Sequence, residues 1–516
     1  MELRYEIVFS AIVFLLILST GVSQIPFVTA SFSSPRLPLP PRSPSFLLLD
    51  SDRDGLLNTW ETTGIDINGD GRIDYNLRAK GANPMHKDIF VEVDFMQFHR
   101  PRAQAITNVI NSFARAPVPN PDGTTGIRLH VLVDEQIPHQ STINDLTGLA
   151  TIKKSRFGTF AERNTDIISP ASIIAAKKLA YHYALFVHSR AGTSSSGIGE
   201  LPGNDFIVSL GSPGWGTFLG HTVGSLDQQQ GTFMHELGHN LNLRHGGGDN
   251  INNKPNYLSV MNYLFQMSST VANRPLDYSR CIVAALNENS LGEPAGIGRS
   301  CPPGLLTFIN AMNLLVSTGT PIDYNIDGDT ADSGLARDLN GDSARSTLAG
   351  YYDWANILYN FRTVPEGASG AAAGTAAGGT NATGATPSEF GRPLSATTSE
   401  PEYSVENLKQ DRLKLLAGIE QAIQTLPPTA FRTPEVAGEA KGNLSAEIRT
   451  APTESITALL NANNLNGAIQ ELTELRARAD STMGGAAADD LITAPQAQQE
   501  VTFLINNMIQ ALEKQK

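Results

Sequence analysis

The chain has 516 residues, of which 41% are hydrophobic, so it is long enough for more than one domain and apolar enough to bury a substantial core. Its formal net charge of −13 argues against a nucleic-acid-binding protein, because that function requires a basic surface. The two cysteines, Cys281 and Cys301, lack the C-x-x-C spacing of metal-binding thiols, and we expect them to form one disulfide in an oxidising compartment.

The N-terminal residues are typical of a secretory signal. Arg4 precedes an apolar stretch over residues 7–22, and residues 28–30 are small or short enough for a cleavage site. We therefore expect a signal peptide over residues 1–30, a Ser/Pro-rich spacer over 31–48, and a secreted or extracellular surface protein. An uncleaved N-terminal anchor is the alternative. No later segment is apolar enough to span a bilayer, so we expect no stable membrane span after signal removal.

Residues 49–85 contain two acidic loops that predict calcium binding. The first, LDSDRDGLLNTWE, matches D-x-D-x-D-G-x₅-E, in which positions 1, 3, 5, 7, 9 and 12 supply oxygen ligands. Those positions hold Asp50, Asp52, Asp54, Leu56 (through its carbonyl), Asn58 and Glu61. The second loop, DINGDGRID, lacks a Glu at position 12, and its candidate ligands are Asp66, Asn68, Asp70 and Asp74.

The two loops start only sixteen residues apart, which is too close for two helix-loop-helix units. They are EF-hand-like in sequence but resemble the tandem calcium loops of thrombospondin type 3 repeats or dockerins, which implies a structural role for Ca²⁺. A third acidic run, over residues 323–343, predicts either a further calcium site or a plain polar turn.

Residues 86–362 alternate between strand and helix patterns. Strand patterns cover residues 88–96, 126–135, 183–189 and 205–211, and helical patterns cover 102–115 and 226–242. This order predicts an α/β domain with one mixed, twisted sheet.

The sequence HELGHNLNLRH, residues 235–245, lies at the end of the second of these helices. Residues four apart share a helix face, so His235 and His239 can bind one metal ion, with Glu236 placed to reach a water on that ion. His245 is the third candidate ligand, which requires the chain to turn sharply after the helix. Asn242 is suited to that turn because Asn readily adopts a left-handed backbone conformation. The remaining histidines have no partner at ligand spacing, and we assign no metal to them: His86, His99, His130, His139, His182, His188 and His221.

This motif resembles the H-E-x-x-H-x-x-G-x-x-H signature of the metzincin zinc peptidases, with Asn242 where that family usually has Gly. The resemblance extends to SVMNY, sixteen residues further on, which is similar to the Met-turn of astacin- and serralysin-like metzincins. It implies that Met261 packs beneath the three histidines and that Tyr263 approaches the metal or stabilises the oxyanion. It also implies that an edge strand aligns the peptide substrate, for which residues 194–204 are the candidate.

These features predict a secreted zinc endopeptidase that acts on a protein or peptide substrate, with Glu236 as general base toward a zinc-activated water. Two alternatives stay open. One is a calcium-stabilised surface or adhesion protein with a metzincin-like shell, and the other is a zinc amidase that cleaves cell-wall crosslinks. No cysteine precedes residue 281, which excludes a thiol-based latency switch in an N-terminal propeptide; an aspartate-based switch or no latency is compatible with the sequence.

The C-terminal part of the chain differs in composition. Residues 363–400 form a predicted Gly/Ala/Thr-rich linker. Apolar residues recur at a helical period in residues 401–516, so we expect a small all-α domain after the α/β domain.

Overall fold

The computed structural model describes residues 49–363, 401–432, 437–449, 455–479 and 491–516. The predicted signal peptide, the spacer, and all but the first residue of the predicted linker lie outside these residues. Within the described ranges, no helix combines the length and the apolar character needed to cross a membrane.

A five-stranded, mostly parallel sheet organises the first half of the protein. Its strands are β1 (Asp88–Met96), β2 (Arg128–Ile137), β3 (Tyr181–Val187), β4 (Gly197–Gly199) and β5 (Asp205–Ser209). The spatial order is β2-β1-β3-β5-β4, and only β4, at one edge, runs antiparallel to its neighbour. The predicted mixed sheet is therefore confirmed, and the predicted edge segment, residues 194–204, contains the edge strand β4.

Helices cover both faces of this sheet, which is why β1 is buried along its whole length. Side chains alternate along the strand, so Val91 and Val93 pack on one face while Phe90 packs on the other. On that second face, buried Glu92 forms an ion pair with Lys177. The helices of this half are α1 (Asn58–Thr62), α2 (Ala103–Ala114), α3 (Asp145–Arg156), α4 (Phe160–Arg163), α5 (Pro170–Lys177) and α6 (Leu226–Asn240).

Short elements follow the sheet. A hairpin precedes α6, and three further two-stranded pairs lie beyond the short helix α7 (Tyr263–Gln266). The paired strands are β6 (Thr217–Phe218) with β7 (His221–Thr222), β8 (Leu286–Asn287) with β13 (Thr347–Leu348), β9 (Leu291–Gly292) with β12 (Ser333–Leu335), and β10 (Leu306–Ile309) with β11 (Leu314–Ser317). The predicted disulfide between Cys281 and Cys301 is confirmed, with a Cα–Cα distance of 6.0 Å.

The C-terminal region is helical, as the periodicity predicts. Its helices are α8 (Val405–Thr425), α9 (Ala437–Arg449), α10 (Ile456–Asn461), α11 (Leu465–Ala479) and α12 (Pro495–Gln515). Val405 and Leu408 of α8 belong to the same hydrophobic core as α6, and Asn507 of α12 hydrogen-bonds to the backbone of Thr270 and Ala272. The described residues belong to one compact unit, while the predicted domain boundaries within it stay predictions.

Candidate metal centre

Helix α6 positions the first two candidate ligands. A capping box between Ser225 and Gln228 fixes its first turn. His235 and His239 lie one turn apart near the end of α6, and their ring centroids are 4.7 Å from each other. Asn242 then adopts the predicted left-handed conformation, with φ of 72°, and the chain turns back. The turn places the His245 ring 5.3 Å from that of His235 and 5.0 Å from that of His239.

The three imidazoles suit a bound cation. Nδ1 of His235 donates to the carbonyl of Val260 and Nδ1 of His239 donates to that of Leu243, both at 2.8 Å. Burial lowers the pKa of His235 to about 4, so its ring is neutral. Because both Nδ1 atoms face carbonyl groups, the Nε2 atoms of the two rings face each other, 3.1 Å apart. Imidazole nitrogens that converge in this way, each ring held by a hydrogen bond from its other nitrogen, form a donor set that fits a zinc ion.

The predicted Met-turn lies beneath these histidines. Gly238 of α6 packs so closely against the Met261 sulfur that a side chain on the glycine would collide with it. The Tyr263 ring lies 4.8 Å from the His245 ring, and its hydroxyl donates to the carbonyl of Pro401. The residues that the resemblance brings together are therefore close together in the structure.

Glu236, the predicted general base, lies in a water-excluded environment. Its side chain is fully buried, and among the described residues neither carboxylate oxygen has a hydrogen-bond partner. Burial, reinforced by the charge of Glu402, raises the pKa of Glu236 well above its usual range. Gly197 of the edge strand β4 lies directly against the carboxylate, in space that a larger side chain would fill. The carboxylate thus lies between the histidines and the edge strand.

Glu402 is a fourth candidate ligand that the sequence analysis missed. Its carboxylate oxygens lie 3.4, 3.6 and 3.3 Å from Nε2 of His235, His239 and His245, and its side chain is only 6% exposed. Burial by itself would raise the pKa of Glu402. The neighbouring imidazoles of His245 and His239 outweigh that effect and hold the pKa well below its usual range. Glu402 precedes α8 in a segment without ligand spacing to any histidine, so the sequence carries no signal for this role.

The segment around Glu402 lies along the edge of the sheet. Ser404 forms an antiparallel bridge with Ser195, and the Ser196 N–H donates to the Tyr403 carbonyl at 2.7 Å. The Tyr403 side chain is buried, and its hydroxyl donates to Asp411 of α8. Residues 403 and 404 therefore pair with the residues that directly precede β4, and the Glu402 carboxylate lies against the histidines.

The first acidic loop forms a cluster of buried carboxylates. The N–H groups of Arg53 and Gly55 donate to Asp50, which curls the loop, and carboxylates of Asp52 and Asp54 lie beside it. Glu61 is fully buried, and both its oxygens lack a partner among the described residues. Burial, with Asp54 and other neighbouring carboxylates, raises the pKa of Glu61 to about 10. Such a cluster fits a divalent cation held by oxygen ligands.

Two further details concern this first loop. Asp88, which the sequence analysis did not select, brings a carboxylate to Asp54 and Glu61. The side-chain amide of Asn58 pairs with the backbone N–H and the hydroxyl of Ser51. Leu56 is buried, and its N–H donates to Asp54.

The other acidic loops share the backbone of the first. Asp66 accepts from the N–H groups three and five residues later, as Asp50 does, and so do Asp323 and Asp338 in the third acidic run. Asn68 and Asp70 are exposed, whereas Asp74 is buried and accepts from the Ile67 N–H. The second loop closes through a bridge between Ile65 and Tyr75 instead of leading into a helix, in keeping with the expectation that this is not an EF-hand pair.

Three of the histidines to which the sequence analysis assigns no metal lie close together in the structure. Nitrogen atoms of His99, His139 and His188 all lie within 4.8 Å of one another. These residues are far apart in sequence, and spacing along the chain therefore gives no indication of the cluster. Burial, with the neighbouring imidazoles, lowers the pKa of His99 to about 4.

Comparisons with known proteins add no relative. No protein-family model matches the chain, and a search of curated proteins gives no significant match.

Proposed function

We propose that the protein is a secreted zinc endopeptidase of metzincin type, and that its own residues 401–404 keep it latent. The observation that carries this proposal is the position of Glu236. The Glu236 carboxylate is fully buried, and neither of its oxygens has a hydrogen-bond partner among the described residues. It belongs to the helix that carries His235 and His239, and it lies against Gly197 of the edge strand β4. A purely structural zinc site would need the histidines but would have no use for that carboxylate.

His235, His239 and His245 would hold the zinc ion. When bound, the ion lowers the pKa of a water molecule and polarises the scissile carbonyl. Glu236 accepts the proton of the attacking water and delivers it to the leaving amine, a task for which a buried carboxylate next to His235 on α6 is suitably placed. Tyr263 donates its hydroxyl proton in a hydrogen bond to the developing oxyanion. Backbone groups of residues 195–197 align the substrate by strand pairing.

Residues 401–404 block this arrangement in two ways. The Glu402 carboxylate fills the space next to all three Nε2 atoms, where water would have to bind. The pairing of Tyr403 and Ser404 with Ser196 and Ser195 occupies the edge strand. Since a peptide segment of this chain fits the edge, a peptide substrate is favoured over a cell-wall crosslink.

Ca²⁺ is proposed as a structural ion in the first acidic loop, because both carboxylate oxygens of Glu61 are buried without a hydrogen-bond partner among the described residues and the buried carboxylates of Asp54 and Asp88 lie beside them. Asp66, Asn68, Asp70 and Asp74 would hold a second, more exposed ion. These sites are compatible with the enzyme and do not by themselves favour an adhesion protein.

The test compares the full-length wild type with Glu402→Ala and with Glu402→Ala/Glu236→Gln on a quenched peptide library. We expect Glu402→Ala to cleave at least about tenfold faster than wild type, which corresponds to about 1.4 kcal/mol of activation free energy. The double variant should retain zinc at the histidines but lose cleavage. Exposed Glu406 of α8 supplies the control, because Glu406→Ala removes an equal charge away from the histidines. A zinc-loaded Glu402→Ala protein that cleaves no peptide would contradict the proposal.

A further inference from the structure

The carboxyl ends of three neighbouring strands bring together a second group of histidines. His99 follows β1, His139 follows β2 and His188 follows β3. These strands are parallel and adjacent in the order β2-β1-β3, so their carboxyl ends lie at the same edge of the sheet. The sheet therefore determines the position of each histidine, although 89 residues separate His99 from His188.

The second group has nearly the same dimensions as the first. Its ring centroids are 5.1 Å apart for His99 and His188, 5.2 Å for His139 and His188, and 5.6 Å for His99 and His139. The corresponding distances in the His235 group are 4.7 to 5.3 Å. Nε2 of His99 and Nδ1 of His188 approach to 3.2 Å, which suits two nitrogen ligands of one ion.

Burial differs among the three rings in a way that suits a solvent-accessible ion. His99 is 5% exposed, His188 is partly buried and His139 is exposed. Gly211 packs directly against the His188 ring, where a larger side chain would displace it. Two ligands are thus held firmly by the fold, while the third faces solvent and leaves a path for the ion.

A groove of about 850 Å³ lies next to this group. Its lining includes Phe98, which adjoins His99 in the chain, and His221, whose ring stacks on Phe98 at 4.3 Å. Arg100, Arg102 and Asp134 also line the groove, so its walls carry charges of both signs. The histidine group therefore lies at the side of a surface depression and not inside a closed core.

We propose that His99, His139 and His188 form a second transition-metal site, which binds a zinc-class divalent ion through three imidazoles. Three neutral imidazoles suit zinc, copper or nickel and are poor ligands for calcium, which prefers oxygen. The site shares no residue with the His235 centre. Its ion would link the segments that follow β1, β2 and β3 and would leave coordination positions open to solvent.

The experiment measures bound zinc in the full-length protein after dialysis against a weak chelator with calcium in excess. The variant is His139→Ala/His188→Ala, and the matched control is Gln140→Ala, since Gln140 is an exposed neighbour of His139. We expect two zinc ions per wild-type or control chain and one per variant chain. Loading with Co²⁺ should give visible absorption from two sites in the wild type and from one site in the variant. His139→Ala alone, at an exposed position, shows whether the loss of metal occurs without unfolding.

The outcomes separate this proposal from the proposed peptidase. One zinc ion in the wild type and none in the variant would support the second site and contradict the His235 centre. Equal zinc content in the wild type and in the folded double variant would overturn the second site, whatever the activity. Peptide cleavage by Glu402→Ala is not part of this test.

Discussion

The Glu402 carboxylate lies 3.3 Å from Nε2 of His245, although 157 residues separate the two in the chain. The carboxylate belongs to a segment that leads directly into α8, and α8 packs into the core that contains α6. The C-terminal helices thus hold Glu402 against the histidines. If the proposed function holds, the C-terminal helices contribute to latency through this contact, because α8 fixes the segment that covers the histidines.

Tyr263→Phe should separate the two roles proposed for that hydroxyl. In the structure the hydroxyl donates to the Pro401 carbonyl, so its removal should weaken the proposed blocking segment and raise residual cleavage. In the Glu402→Ala background the same change should lower kcat by about ten- to a hundredfold, since one oxyanion donor is lost. Tyr359→Phe is the control, because the Tyr359 hydroxyl is buried with no hydrogen-bond partner among the described residues. Unchanged kcat in the opened background would remove Tyr263 from the mechanism.

Asn242 gives a prediction about the turn between the second and third ligands. Its φ of 72° is available to Gly without strain, whereas Ala pays a steric cost of about 1–2 kcal/mol. Asn242→Gly should therefore unfold at the same denaturant concentration as wild type or a higher one, and Asn242→Ala at a lower one. Zinc affinity should follow the same order, since His245 depends on the turn. Equal stability of the two variants would show that the turn carries no strain.

The contrast between Asn242 and His99 shows what the sequence can predict here. The ligands on α6 and the turn after it lie within eleven residues, where helical periodicity and backbone preference decide which side chains meet. Glu402, Asp88 and the three histidines after β1, β2 and β3 reach their positions through the strand order and through the packing of α8. The strand order and the packing of α8 depend on contacts between distant parts of the chain, and no local residue spacing indicates them.

Calcium should stabilise the protein through the first acidic loop. At a concentration a hundred times its Kd, a ligand that binds only the folded state contributes about 2.7 kcal/mol, so excess calcium should raise Tm and a calcium-selective chelator should lower it. Glu61→Gln should abolish most of this shift, because Glu61 is buried without a partner among the described residues. Glu406→Gln removes the same charge from an exposed position on α8, and this variant should retain the calcium-dependent shift in Tm. An identical Tm with calcium and with chelator would argue against the site.

His182 should make stability depend on pH in the acidic range. It is fully buried beside Asn240, with Lys153 as a nearby positive charge, and burial lowers its pKa to about 4 from an ordinary value of 6.5. As the pH falls, His182 takes up a proton in the unfolded chain before it does so in the folded chain. The neutral, buried His182 therefore contributes its full stability above pH 6.5, and this contribution is lost as the pH falls toward 4. The loss is about 3 kcal/mol for a shift of this size.

His182→Gln keeps a hydrogen-bond donor for Asn240 but does not titrate. Between pH 6.5 and 4.5 the free energy of unfolding of the wild type should therefore fall more steeply than that of the variant, by about 1.4 kcal/mol per pH unit near the middle of the range. Release of bound metal in acid affects the wild type and the variant alike. The difference between their pH dependences of the unfolding free energy therefore reports the titration of His182 alone. Urea unfolding at half-unit pH steps measures this difference. If the unfolding free energies of both proteins fall with pH in parallel, His182 takes up its proton in the folded protein as readily as in the unfolded chain, and the prediction is wrong.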